Sequence, residues 1–416
     1  MTIEPDGHTW KIAKIDNLSS FITVGFVGSM SSLFVDEGVP LLRGQNILPY
    51  QLDLTNLKHI SAETHRKWKK SALQPGDVVI VRVGYPGTAC VIPDGLGDLN
   101  AASLVIVRPN PELLDSDFLC YVLNSPWGRA RVQGRLVGAA QQVFNTHTAA
   151  ELEIPAPPLP VQRRIAGILT AYDKLIENNQ RRIKILDAAA RALYREWFVH
   201  FSFPGHEAVP RVPSPLGEIP QGWEVRKLAT VAEVNRAQIN ARTAPDELHY
   251  IDISSVSPGQ IDNITTYAFA DAPGRARRTV QHGDVLWSCV RPNRRSHAQV
   301  MHPEPDTIAS TGFAVLTATK VPFTFLYFAT TTDDFVAFLT NNATGAAYPA
   351  VSGATFEKAD LLVPPVQLLT KFGDATIPMA QQIHTLHRQI KNLRRTRDLL
   401  LPRLLSGQID VEAMAS

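Results

Sequence analysis

The sequence predicts an α+β fold in which two pseudo-symmetric α/β domains are separated by two long antiparallel coiled-coil helices. Three observations predict it. The second half of the chain repeats the first, each repeat holds short β-branched runs between turn signals, and each repeat ends in prolines followed by a sustained heptad.

The repeat runs at a nearly fixed offset of 207 residues. LQPGDVVI (73–80) lies on VQHGDVLW (280–287), so Gly76-Asp77 matches Gly283-Asp284. DFLCYVL (117–123) lies on TFLYFAT (324–330), GAAQQ (138–142) on GAAYP (345–349), and Pro157-Pro158 on Pro364-Pro365. Upstream, TWKIAKI (9–15) matches GWEVRKL (222–228), Trp10 on Trp223. Each match alone is weak; the common offset is what carries weight. The boundaries that follow are a first domain over 1–155, a helix over 156–200, a Pro- and Gly-rich linker over 201–221, a second domain over 222–363 and a second helix with its tail over 364–416. Strands are expected near Asp77–Val83, Ser103–Val107, Asp284–Val290 and Gly312–Leu316, and helices near Asp117–Asn124 and Phe323–Thr330.

Past each proline cluster the period becomes helical. Ile165, Leu169, Tyr172, Ile176, Asn179, Ile183, Leu186, Ala190, Leu193 and Trp197 follow a heptad, and adding 207 gives Phe372, Thr376, Met379, Ile383, Leu386, Ile390, Leu393, Arg397, Leu400 and Leu404. Two matched seams call for a coiled coil, antiparallel if the halves are related by pseudo-symmetry. Pro378 predicts a kink in the second helix, or its start. Both helices are basic: residues 162–200 hold eight Lys/Arg against four Asp/Glu, and 366–405 hold seven against two. A charged helix face is usually a solvated one; a partner protein or a phosphate backbone is the alternative.

The bulk numbers describe a well-packed chain of 416 residues, 44% hydrophobic and 19% charged, long enough for two to four domains. A net charge of +2 neither favours nor excludes a nucleic-acid partner, so that question rests on local patches. Cys90, Cys120 and Cys289 are scattered and suit a reducing compartment. The opening MTIEPDGHTW has no signal-peptide character and no apolar run reaches membrane length, so a cytoplasmic protein is expected.

The strings IPAPPLPVQRRIAGILTAYDKLIENNQRRIKILDAAARALYREWFVHF (154–201), GEIPQGWEVRKL (217–228) and LRRTRDLLLPRLLSGQIDV (393–411) resemble type I restriction-modification specificity (S) subunits. The resemblance covers essentially the whole chain in order, although 366–378 departs from the family's Gln-containing helix start. It implies two target recognition domains, each reading one half of a split site in double-stranded DNA. It implies that the helices set the half-site spacing and dock two methylation (M) subunits, which carry S-adenosylmethionine and methylate adenine N6. It further implies restriction (R) subunits that use ATP and Mg, and no cofactor bound by this chain. The helix from Gln162 to Val199 would span roughly 55 Å at ~1.5 Å per residue, longer than one ~34 Å DNA turn, which suits a ruler.

Catalytic signatures are not found. Asn46-Ile-Leu-Pro-Tyr50 lacks the paired prolines of an adenine methyltransferase loop. No phosphate-binding GxxxxGK[ST] string occurs, and neither Asp333-Asp334 nor Pro93-Asp94 opens a nuclease motif. His282, Cys289, His297 and His302, like His384 with His387, have no standard zinc spacing. The chain is therefore expected to bind and not to turn over substrate.

Base reading calls for Arg on guanine and Asn or Gln on adenine, with Lys on phosphates. In the first domain the candidates are Lys67, Lys69 and Lys70 in a basic run around Trp68, then Arg82, Arg129, Arg131, Arg135, Gln141 and Gln142. In the second they are Arg275, Arg277, Arg278, Arg291, Asn293, Arg294, Arg295, His297 and Tyr348. Arg82 and Arg291 follow the same Gly-Asp strand in the two copies. Two other readings stay open: the specificity subunit of a fused methyltransferase-nuclease system, and a coiled-coil scaffold that binds DNA without sequence preference.

Overall fold

The computed structural model describes residues 10–136 and 143–411. The chain divides into two compact units, one made of Met1–Asn179 with Gln389–Ser416, the other of Gln180–Arg388.

In the first unit a four-stranded antiparallel sheet runs in the order Ser19–Val24, Leu104–Pro109, Val78–Val81, Ala89–Val91. Val78–Val81 and Leu104–Val107 in its central strands are apolar at every position because both faces are covered. Val78, Ile80, Val105 and Val107 point into a core with the helix Ser116–Asn124, whereas Val79, Val81, Leu104 and Ile106 pack with Leu42, Ile47 and Ala101. The period of two thus feeds two cores from one strand pair. A second sheet holds Asn100–Ala101, Val39–Leu42, Lys58–Ile60 and Phe34–Val35 in that order, its first pair parallel.

The second unit repeats this plan. Ala232–Val234, Phe313–Ala318, Val285–Ser288 and His297–Gln299 form the matching sheet in the matching order. In the other sheet Thr307–Ser310 lies parallel to Glu247–Ile251, which pairs antiparallel with Thr265–Ala268. Val285, Trp287, Ala314 and Leu316 face one core; Leu286, Phe313 and Val315 face the other. Gly76 and Gly283 sit at φ 84° and 88°, the left-handed turn into each central strand that Gly adopts without strain.

Each long helix contributes to both units. The first covers Leu159–Tyr194 and ends in a π-helical turn over Arg195–Val199; the second covers Val366–Leu405. Within the first unit Arg397 on the second helix pairs with Asp173 on the first, and the Asn179 amide donates to Gln389 Oε1 at 3.3 Å. Within the second unit Phe372 packs on Phe198 (4.9 Å) and Trp197 (6.1 Å). In the first unit the number rises on one helix as it falls on the other, so the pairing there is antiparallel. Every one of the seam positions read from the heptads, Ile176, Ile183, Leu186, Leu193, Ile383, Leu386, Ile390, Leu393 and Leu400 among them, is buried or half-buried. The polar seam pairs fix register, since sliding a helix would strand a buried charge or amide.

Two expectations are corrected. Residues 201–221 are no bare linker: Arg211–Ser214 and Gly217–Pro220 form a hairpin, and Phe203 and Ile219 are buried in the core of the second unit. Apolar side chains at alternate positions outweigh the Pro and Gly content. Pro378 neither starts nor interrupts the second helix, which begins at Val366 and continues through it. Pro378 and Asp374, whose carbonyl loses its i+4 partner, are both exposed, so water serves the freed oxygen. Among the described residues no helix is long and apolar enough to cross a membrane.

Candidate nucleic-acid interface

The turn after each Gly-Asp strand is built alike in both units and carries different chemistry. Each central strand begins with an aspartate that accepts from the backbone three residues earlier: Asp77 from the Gln74 N–H (2.8 Å) and Asp284 from the Gln281 N–H (2.8 Å). The first has a counter-charge, with Arg108 Nε and Nη2 on its two oxygens at 2.7 and 2.8 Å. In the second, Thr317 stands there and its hydroxyl donates to Asp284 at 2.7 Å. Burial pushes Asp284 up to about 6, although the Thr317 and Gln281 hydrogen bonds and the charge of Arg236 act against the shift. Protonation therefore favours the folded second unit: the contribution is full below about pH 4 and is lost as pH rises through 6. Urea titrations between pH 5 and 7.5 are expected to show stability falling by ~1.4 kcal/mol from this group. Asp284→Asn, which keeps an acceptor oxygen, flattens that slope; equal slopes in both proteins would contradict the assignment.

At the far end of the strand lies the variable turn. In the first unit Arg82 is half-buried with its Nε unpartnered, and its carbonyl accepts from the Phe144 N–H at 3.0 Å. Beyond it Val83 and Tyr85 are exposed, Tyr85 to 80%, between Gly84 and Gly87, both at φ 88°. In the second unit the Val351 N–H meets the Cys289 carbonyl at 2.9 Å, the same contact 207 residues on. There the turn reads Arg291, Pro292, Asn293, Arg294, Arg295, with a one-turn 3-10 helix over Pro292–Arg294. The Arg291 guanidinium lies 4.7 Å over the ring of Tyr348, itself 69% exposed, and donates to the Ala347 carbonyl at 3.2 Å. Arg295 is paired with Asp333, while Asn293 and Arg294 are exposed.

The remaining candidates are scattered over each unit. Lys67, Lys69 and Lys70 are exposed around Trp68, which stacks on Phe26 at 3.9 Å; Lys67 is tied to Glu63 at 2.7 Å. Arg129 bends back onto Asn124, Arg131 covers Trp127 at 5.1 Å, and Arg135 is exposed. Gln141 and Gln142 lie outside the described residues. Arg275 is exposed; Arg277 donates to the Ala276 carbonyl (2.7 Å) and lies over Phe269. Burial lowers the pKa of Arg278, whose Nε has no partner.

His297 is a correction. It is only 4% exposed, packed between Trp287 and Tyr327, and burial lowers its pKa to about 3, so it is a neutral core residue. The 207 offset places it on Cys90, which is also fully buried, and that parity is the signal the sequence holds. Asn46 is structural as well: its side chain accepts from the Arg43 N–H (3.1 Å) and donates to the Asp53 carbonyl (3.0 Å). His282 and His302 approach with ring centroids 4.4 Å apart. Among the described residues no group of three or more His, Cys, Asp or Glu is arranged to hold a metal ion. The exposed Tyr85 is an addition that the sequence alone does not single out.

Comparison with known proteins agrees with this geometry. Residues 55–187 match the family model described as the type I restriction modification DNA specificity domain. The MjaIX type I restriction enzyme specificity subunit of Methanocaldococcus jannaschii is 23% identical over 72% of this chain and 70% of its own length. The HindI specificity subunit of Haemophilus influenzae is 20% identical over 86% and 90%. In fold, the crystal structure of a type I restriction-modification S subunit from M. genitalium superposes with a TM-score of 0.63 over 97% of this chain and 98% of that one, at 17% identity. The chain is thus similar in sequence, over part of its length, to type I restriction-modification specificity subunits, and it shares the fold of one.

Proposed function

We propose that this chain reads a split site in double-stranded DNA, one half per unit, and holds methylation subunits in place over the adenines to be modified. As a specificity subunit it is the recognition component, not the catalyst. The carrying observation is the duplication itself: the same strand order in the sheet that holds the Gly-Asp strand of each unit, the same Gly-Asp turn, and at the turn beyond it Val83 and Tyr85 in one unit against Arg291, Asn293 and Arg294 in the other. A scaffold without sequence preference has no use for that difference. Lys67, Lys69, Lys70, Arg131, Arg135 and Arg275 are suited to phosphates, since they are exposed and long. The basic outer faces of the long helices, with Arg181, Arg182, Arg394 and Arg395 exposed, suit a protein partner or the DNA backbone. Two methylation subunits would match two units, each bringing its own S-adenosylmethionine. Restriction subunits, where present, would bring ATP and Mg.

The test is a map of N6-methyladenine in cells carrying the methylation subunit of this system with and without the chain. Methylation in one split motif that vanishes when the chain is omitted is the expected result. Methylation that persists unchanged without it, or that is spread over unrelated sequences with it, overturns the proposal.

A further inference from the structure

The turn over residues 291–295 holds two side-chain-bearing residues in the left-handed region, Arg291 at φ 51° and Arg295 at φ 55°, on either side of a single 3-10 turn. Residues with a Cβ rarely adopt that conformation, and keeping two of them there requires that the surroundings impose it. They do. The Arg291 N–H donates to the Pro349 carbonyl at 2.7 Å, its guanidinium is held between Tyr348 and the Ala347 carbonyl, Pro292 is buried, and Arg295 is fastened to Asp333. Both ends of the turn are therefore clamped, and what they present between them is Asn293 and Arg294, exposed. A long side chain on a fixed base loses less freedom on binding than one on a loose loop, and a guanidinium fork so placed suits the O6 and N7 acceptors of guanine.

The two turns hold the same place after the Gly-Asp strand yet present different chemistry, as readers of two different half-sites would. The equivalent turn of the first unit has no arginine beyond Arg82, and its exposed side chains are Val83 and Tyr85. We infer that the 291–295 turn is a guanine reader, with Arg294 as the specificity-determining residue for one base pair of the half-site read by the second unit. The inference rests on the DNA-reading function proposed above and adds the base and the residue.

Selection from a randomised DNA pool, using the chain in complex with its methylation subunit, tests it through wild type, Arg294→Ala and Arg294→Lys. Arg294 is exposed and no hydrogen bond or ion pair holds its side chain to the described residues, so neither change removes a packed group. Wild type should require G at one position of one half. Arg294→Ala should accept all four bases there, with discrimination falling about 5- to 150-fold and every other position unchanged. Arg294→Lys should relax the same position while keeping the salt dependence of wild type, because it keeps the charge and loses the fork. Uniform weakening across all sequences with a shallower salt slope in Arg294→Ala, and no relaxed position, would make Arg294 a phosphate contact and overturn the inference. A wild-type complex that selects no motif removes the reading function and the inference together, and is told apart by the wild-type pool alone.

Discussion

Exchanging residues 1–154 for the corresponding stretch of a type I specificity subunit is expected to change one half of the methylated motif completely and to leave the other half intact. The expectation follows from how the first unit is assembled. Both of its sheets lie within that stretch, and so does nearly all of the strand pair that closes it, Ile12–Lys14 on Glu153–Pro155. The variable turn at Arg82–Gly87 travels with the graft, while the turn at 291–295 is untouched. What stays behind is the helical floor, Val161, Ile165 and Leu169 from the first long helix and Leu401 and Leu404 from the second, against which Phe118, Leu119 and Val122 pack. A graft with similar volumes at those three positions keeps the core filled. Methylome sequencing of cells making soluble chimera reads the result. A chimera that alters both halves, or neither, contradicts independent reading by the two units.

Phe372→Ala is expected to cost the second unit ~3–5 kcal/mol, near the upper end for a single truncation. Phe372 is fully buried and its ring is within 6.4 Å of five others: Phe198, Tyr194, Trp197, Phe328 and Phe325. Three of those lie on or just past the end of the first long helix and two on the helix Phe323–Ala329, so one ring joins three chain segments. Removing it leaves a cavity that rigid aromatic neighbours cannot close. Urea unfolding followed by hydrogen exchange should show lost protection in residues 180–388 and native protection in the first unit. A loss below about 1 kcal/mol would mean that the site repacks or is not the hub.

Much of this architecture is legible in the sequence because duplication turns weak local signals into strong ones. The strand at 77–83 is one apolar run among several; its echo at 284–290 fixes both, and the structure has strands at Val78–Val81 and Val285–Ser288. The heptads likewise carry their own check. Where only one copy has the signal, the sequence says less. Phe372 sits in the stretch that departs from the family pattern, and Pro378 reads as a break in a helix that in fact passes through it. A proline is judged by whether its freed carbonyl meets water, which depends on the face it lies on. The hairpin at 211–220 is hidden by its prolines because turn content says where a chain bends and not whether the flanks are buried. Base-reading residues are the least legible. Arginine, lysine and other polar side chains look alike in sequence; the strained backbone at Arg291 and Arg295, the burial of His297 and the exposure of Tyr85 are set by tertiary contacts.

The most direct measurement is the affinity of the chain, in complex with its methylation subunit, for three DNA duplexes at two salt concentrations. One carries the intact methylated motif, and in each of the others one half is scrambled. Each scrambled half is expected to weaken binding by a factor approaching the ~10³ or more that separates specific from non-specific sites, with the ranking preserved when salt rises. Three equal affinities that fall in parallel with salt would leave only phosphate attraction, and would contradict the claim that each unit reads its own sequence.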